Sequence, residues 1–154
     1  MEVRLRRMTL GDAEALHAAI GNAETYAPVH IPPPESVDVL RARIARQFSG
    51  PGDGAALWLN WCVLAEGAVT GFVQATVTGE EASLAYVLGH RHWGRGIGLA
   101  ATRLAIAELV ARYGVTRLIA DTDEANLASQ ALLARLGFTF DRRDGRDLHY
   151  RRPA

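Results

Sequence analysis

At 154 residues the chain has room for one hydrophobic core but not for two full domains. Its 17 basic and 17 acidic residues cancel, so no bulk charge recruits nucleic acid or a membrane surface, and a hydrophobic fraction of 49% is ordinary for a globular protein. All the basic residues are arginines, which excludes a lysine Schiff base and a phosphate-loop lysine; Cys62, the single cysteine, excludes an intrachain disulfide and a cysteine-built metal cluster.

Val3-Arg4-Leu5-Arg6 alternates like a short strand, and Thr9 or Asp12 is placed to cap a helix carrying Ala15, Leu16, Ala19 and Ile20. Pro28, Pro32, Pro33 and Pro34 punctuate an irregular loop, after which Ser36 caps a second helix with Val37, Leu40, Ile44 and Phe48 at helical spacing. The breaker cluster 49–54 then leads into two strand-like runs, Ala56 to Leu64 and Val69 to Thr78, joined by a Glu66-Gly67 turn as a hairpin. The longest apolar stretch, Ala55 to Ala65, is interrupted by Asn60 and too short to span a bilayer, and no apolar run follows the charged N-terminus; the expectation is a soluble, untargeted, cytoplasmic protein.

Ala82 to Leu88 is a third strand of the meander, followed by Gly89-His-Arg-His-Trp-Gly-Arg-Gly-Ile-Gly98. Residues 96–113 read as a long helix with Leu99, Ile106, Val110 and Tyr113 on one face and Ile97 and Leu104 widening it; Glu108 and Arg112 are spaced to pair, and Gly114 stops the helix. Val115 to Ala120 is a buried-type strand, Asn126 caps a helix ending at Gly137, and Phe138 to Phe140 with Leu148 to Tyr150 form a closing hairpin. Arg142, Arg143, Arg146, Arg151 and Arg152 interleave with Asp141, Asp144 and Asp147 and are expected to pair among themselves.

A strand running through a glycine-rich turn directly into a helix brings backbone close to a ligand and aims unpartnered N–H groups, beside the positive end of the helix dipole, at a pyrophosphate. Two phosphate binders compete for the turn. Gly96-Ile-Gly98-Leu-Ala-Ala101 satisfies the dinucleotide pattern G-x-G-x-x-A, with Asp121 about twenty residues on as the ribose-binding acid. Against it, five residues separate Leu88 from Gly94, the preceding segment is a meander, and too little chain follows Asp121 to complete a doubly wound sheet.

The second binder rests on a resemblance. Ala85-Tyr-Val-Leu88, Trp93-Gly-Arg-Gly96-Ile-Gly98 and Asn126-Leu-Ala-Ser129 through Leu136-Gly-Phe138 together resemble the GNAT superfamily of N-acetyltransferases, closest to the branch that includes ribosomal-protein N-terminal acetyltransferases. The likeness is specific over 82–140 and general in element order over 1–78. It implies a single acetyltransferase domain spanning 1–154, of α/β (α+β) class, with a mixed, mostly antiparallel, splayed sheet flanked by helices. It implies acetyl-CoA as acyl donor, with its pyrophosphate on the N–H groups of Arg95, Gly96, Gly98 and Leu99. Val87 and Leu88 would bond the pantetheine arm, and Asn126 would be a coenzyme ligand as well as an N-cap. Trp93 departs from the usual Gln or Arg of the motif, and Leu133 stands where many members carry a tyrosine acid.

Direct attack of an amine on a thioester needs a neutral amine, a polarised carbonyl and a proton for the departing sulfur. The Val87 N–H is a candidate for the carbonyl and Ser129, by the resemblance, for the sulfur; the alternative for Ser129 is a helix-start hydroxyl satisfying local backbone. Glu81, with Glu80 beside it, and His92 are candidate bases, the plainer reading of the glutamates being exposed turn carboxylates. His90 and His92 lack a third ligand for a metal. The function implied is transfer of acetyl from acetyl-CoA to a primary amine, a protein N-terminus or a small molecule, by a monomer or homodimer without nucleic acid or membrane partners. The alternative is a non-catalytic acyl-CoA-binding regulator of the same fold. The acceptor pocket is expected between the first two helices and the loop around His30 to Pro34, with Tyr26, Trp58 and Trp61 as candidate lining.

Overall fold

The computed structural model describes residues 1–29, 31–52 and 54–154. Strand β1 (Val3–Arg7) passes through a tight 3₁₀ turn at Leu10–Asp12 into helix α1 (Ala13–Ile20). Asp12 fixes this entry, because its carboxylate accepts the Thr9 N–H at 2.7 Å and both ends of the Arg6 guanidinium at 2.7 and 2.9 Å. Burial pushes this carboxyl up, but the hydrogen bonds from Arg6 and Thr9 outweigh it and hold the group below the usual carboxylate range.

The segment expected to be wholly irregular contains helix α2 (Ala23–Tyr26), capped by Asn22 Oδ1, which accepts the Thr25 N–H at 3.1 Å. Four residues are too few to display a helical period, so only the cap was there to be read. Helix α3 (Val37–Ser49) starts where expected, with Ser36 Oγ accepting the Val39 N–H at 3.1 Å.

Strands β2 (Leu57–Ala65) and β3 (Ala68–Thr78) form the expected hairpin, and the turn between them puts both Glu66 and Gly67 at positive φ. Strand β4 (Glu81–Leu88), helix α4 (Ile97–Tyr113), strand β5 (Arg117–Asp123), helix α5 (Leu127–Arg135) and strands β6 (Thr139–Asp144) and β7 (Asp147–Pro153) complete the chain. One seven-stranded sheet results, in the order β1-β2-β3-β4-β5-β7-β6. Only β4 and β5 pair in parallel, across the α4 connection; every other neighbour is antiparallel. This topology excludes the doubly wound dinucleotide sheet.

Helices cover both faces of the sheet. Helices α4 and α5 bury Trp61, Val73, Leu84, Leu118 and their neighbours, whereas α1 and α3 cover Met8, Cys62 and the inner sides of Phe72 and Val87. The α4 face differs from expectation. Ile97, Ala101, Ala105 and Leu109 line the buried row, with Thr102 and Ile106 beside them, whereas Leu104 and Val110 stay over 40% exposed. Of the expected face, Ile97 and Ile106 are buried and Leu99 and Tyr113 pack against the core; weighting large apolar residues misplaced Leu104 and Val110 and passed over the alanines that let this helix lie close on the sheet. Glu108 and Arg112 do pair, at 3.9 Å, and Gly114 ends the helix in the left-handed region.

In the C-terminal hairpin, Arg151 pairs with Asp141 at 3.6 Å, but Arg146 turns to Asp123 at 2.9 Å and Arg143 to Glu124. Strand β7 inserts between β5 and β6, which brings acids from the end of β5 nearer to these arginines than the interleaved aspartates.

Gly71 shows how tightly β3 and β4 are set together. A Cβ there would lie 2.1 Å from the Val87 carbonyl oxygen, a backbone atom that cannot swing away. Gly71→Ala is therefore expected to cost about 2 kcal/mol or more. Gly98→Ala, whose Cβ would meet only Leu132 at 3.5 Å, is expected to be neutral or stabilising; urea unfolding midpoints compare the two.

Candidate active site

Beyond Leu88 the chain makes a 3₁₀ turn at His90–His92 and enters α4 through Trp93-Gly94-Arg95-Gly96. Gly94 and Gly96 adopt φ of 73° and 79°, and among the described residues, chain neighbours aside, nothing lies within 4 Å of where either Cβ would stand. The glycines thus serve the backbone conformation and leave the space before the helix open. The helical ladder begins with Ala100 N–H donating to the Gly96 carbonyl at 3.1 Å, so the N–H groups of Ile97, Gly98 and Leu99 precede it and lack helical partners.

The turn is anchored from several sides. The Trp93 indole donates to the Leu88 carbonyl at 2.8 Å, the His90 N–H donates to Thr25 Oγ1 at 3.1 Å, and His90 Nδ1 meets Asn22 Oδ1 at 3.0 Å. Gly89 lies so near α1 that a Cβ would sit 2.4 Å from the Ala19 carbonyl oxygen. Helices α1 and α2 are thereby tied to the turn. Burial, reinforced by Arg95, Arg91 and His90, lowers the His92 pKa and favours a neutral ring.

Beside this helix start the sheet opens. Strands β4 and β5 pair from Glu81↔Arg117 to Leu84↔Ala120 and then part, although β4 continues to Leu88 and β5 to Asp123. Backbone direction alternates along β4. The Glu80 carbonyl accepts from Thr116 and Arg117 on the β5 side, whereas the Gly89 N–H donates to Thr70 on the β3 side at 2.8 Å. By that alternation the peptide groups of Tyr86 and Leu88 face the opening and those of Val87 face β3. The position of the Val87 carbonyl against Gly71 agrees.

Across the opening stands the start of α5. Asn126 Oδ1 accepts the Ser129 N–H at 3.1 Å, which leaves the serine hydroxyl to meet the Tyr86 hydroxyl at 2.7 Å. Burial raises the Tyr86 pKa, and the bond to Ser129 offsets this only in part, so the phenol keeps its proton at neutral pH. On the opposite face of the sheet, between α1, α3 and strands β2 to β4, lies a cavity of about 330 Å³ whose lining includes Tyr26, Arg43, Arg46, Asn60 and Val87. Among the described residues no carboxylate lines it.

A bare helix start beside two parting parallel strands is the arrangement expected of an acyl-CoA site, and the family profile of the acetyltransferase (GNAT) domain matches residues 2–139. The chain belongs to the GNAT acetyltransferase family. The acetyltransferase of Thermus thermophilus superposes with a TM-score of 0.81 at 22% identity, covering 100% of this chain and 98% of that one. The ribosomal-protein-S5-alanine acetyltransferase of Vibrio fischeri gives 0.82 at 17% identity, covering 99% and 93%. The PaiA N-acetyltransferase of Thermoplasma acidophilum, solved with coenzyme A, gives 0.77 at 19% identity and covers 100% of both chains. No curated protein sequence matches. The protein is an acetyl-CoA-dependent N-acetyltransferase.

Within this GNAT acetyltransferase, Gly96, Gly98 and Leu99 come together at the α4 start with Arg95 next to them, and Leu88, Asn126 and Ser129 border the strand opening. Two residues stand apart. The Val87 amide faces β3 as derived above, so the N–H groups that β4 offers to the opening are those of Tyr86 and Leu88. Glu81 lies at the far end of β4, about 20 Å of strand from Leu88, in an ion pair with Arg117 at 3.6 Å. Leu133 is a core residue, 1% exposed, so no acid stands there.

Tyr86 is the site residue that sequence reasoning missed; its even position on β4, the parity of buried Ala82 and Leu84, was the available signal for the α5 side. Of the three candidate aromatics Tyr26 lines the cavity, whereas Trp61 is core on the other face and Trp58 lies in a separate hollow near residues 47–57. His30 lies outside the described residues.

Proposed function

We propose that the enzyme transfers acetyl to a primary amine, a protein N-terminus or a small molecule, by direct attack, with the donor between β4 and β5 and the acceptor entering from the cavity over Val87. The observation that carries the reading is the open, unpartnered start of α4 beside the parting strands. Acetyl-CoA, when bound, supplies an activated acetyl thioester. The N–H groups from Arg95 to Leu99 suit its diphosphate, and the inward-facing peptides of Tyr86 and Leu88 suit an extended amide-bearing arm. Asn126 fixes the first turn of α5, and the Ser129 hydroxyl, backed by Tyr86, holds a proton where sulfur would depart.

The cavity favours one kind of acceptor. It is mainly apolar and, among the described residues, carries Arg43 and Arg46 without a carboxylate and contains Asn60, which is 7% exposed and whose Oδ1 has no hydrogen-bond partner. An amine on an apolar body with a nearby anionic group fits that lining. Such an acceptor is expected to have a KM about tenfold below its neutral isostere, and Arg43→Gln to erase most of the difference.

Thiol release on a panel of amines and N-terminal peptides tests the reaction. Saturable, amine-dependent release is the expected result; tight acetyl-CoA binding without turnover on any acceptor would reassign the protein as a coenzyme-binding regulator. Among the described residues no helix is long and apolar enough to cross a membrane. Cys62 is a free, fully buried thiol that burial pushes up to about 12, which leaves it unreactive.

A further inference from the structure

We infer that His149 takes the proton from the acceptor amine and that Asp121 is the residue that positions it; the inference rests on the transfer reaction proposed above. His149 and Asp121 are direct register partners on β7 and β5, and His149 Nδ1 is hydrogen bonded to Asp121 Oδ1. A carboxylate has no proton to give, so Nδ1 carries the hydrogen and Nε2 is left with a lone pair in the neutral ring. Nε2 is buried and has no hydrogen-bond partner among the described residues. An oriented, orphaned imidazole nitrogen is costly to keep unless something comes to meet it.

Its location suggests what comes. The last β4–β5 pair is Leu84↔Ala120, so Asp121 is the first β5 residue beyond the point where the strands part. Leu118 and Ala120 face α4 and α5, which by alternation turns Asp121 and His149 to the opposite face, the one that carries Val87 and the acceptor cavity. The hydroxyls of Ser129 and Tyr86 lie on the α5 side. Asp121 at the strand opening, with His149 bonded to it from the next strand, β7, and the proton donor Ser129 therefore lie on opposite faces of the sheet. Glu81 stands on the paired part of β4, before the opening, in an ion pair with Arg117.

The proton account closes. As the new N–C bond forms and the C–S bond breaks, the amine nitrogen gives one proton to His149 Nε2 and the sulfur receives one from the Ser129 hydroxyl; water restores both groups. The charged groups on this face are Asp121 itself, Asp147 two residues before His149 on β7, Arg142 and Asp144 in register with His149 and Asp147 on β6, and the ion pairs Arg151–Asp141, Arg146–Asp123 and Arg117–Glu81. On β4 the facing residues, Ser83 and Ala85, carry no charge.

The test is the pH dependence of kcat for wild type, His149→Gln, His149→Ala and Asp121→Asn, with acetyl-CoA affinity measured by calorimetry. His149→Gln is expected to lower kcat about 100-fold with coenzyme affinity unchanged, and to lose the rising limb of the profile, because an imidazole accepts a proton only when neutral. Added imidazole should restore part of the activity of His149→Ala, and Asp121→Asn, which frees the ring, should lower kcat about tenfold with the limb retained. A structural role alone would move neither the limb nor the rescue. His149→Gln with kcat within threefold of wild type and the limb intact, or a limb that disappears instead in His92→Gln, overturns the proposal. Should His149 variants fold poorly, the kcat of Asp121→Asn decides: a value within twofold of wild type overturns it. Wild-type protein that binds acetyl-CoA but acetylates nothing would sink the transfer reading itself, a result distinct from an active enzyme indifferent to His149.

Discussion

Gly98→Asp is expected to leave the fold intact and to remove acetyl-CoA binding. Gly98 is a first-turn residue of α4 with ordinary helical backbone, and a Cβ there meets only Leu132 at 3.5 Å, so the carboxylate adds no strain. In a protein without a ligand at this helix start the substitution would even help, since acids near a helix N-terminus are favourable by about 0.3–1 kcal/mol. With a diphosphate there, two like charges about 4 Å apart at an effective dielectric of about 20 repel by about 4 kcal/mol, close to a thousandfold in affinity. Opposite signs for stability and binding make the prediction hard to satisfy by accident: Tm should rise or hold while the calorimetric signal for acetyl-CoA vanishes. Gly96→Asp would be a poorer probe, because Gly96 sits at φ 79° and any side chain there is strained. Normal affinity in Gly98→Asp would remove the α4 start from the coenzyme site.

The sequence was most legible where chemistry is local. Ser36 and Asn126 cap the helices they were expected to cap, Glu66-Gly67 turns the hairpin, and Trp93 to Gly98 forms the strand-to-helix turn, because each feature depends on a few neighbouring residues and their backbone preferences. What was lost depends on partners distant in the chain. The buried row of α4 could not be ranked without knowing how close the sheet lies, and alanines at 101 and 105 carry little weight in an apolar pattern although they set that distance. Which edge of β4 offers its amides to the opening follows from pairing with β3, so Leu88 was expected there rightly but Val87 was named where Tyr86 stands. Glu81 does start β4 as expected, but its ion pair with Arg117 of β5 depends on a strand pairing that local sequence does not display. The pairing of Tyr86 with Ser129, 43 residues on, and of Asp121 with His149, 28 residues on, exists only once β4, β5 and β7 stand in order.

The Tyr86 and Ser129 pair supports the other large effect. Ser129→Ala is expected to lower kcat about 100-fold, the scale of a lost proton donor, with acetyl-CoA affinity within a factor of about three. Tyr86→Phe keeps the ring against α5 and removes only the hydroxyl, so Ser129 loses the partner that orients it; kcat should fall about tenfold. If Tyr86 acts only through Ser129, the double variant should be no slower than Ser129→Ala, whereas two independent donors would multiply to about a thousandfold. The two mutations also differ in stability. Ser129→Ala strands the half-buried phenol and costs about 1 kcal/mol, while the double variant removes both hydroxyls and recovers part of that loss. Multiplying effects on kcat would assign Tyr86 a donor role of its own, and an unchanged kcat in Ser129→Ala would move the proton at sulfur to another group, with the Tyr86 hydroxyl, facing the same opening, next in reach.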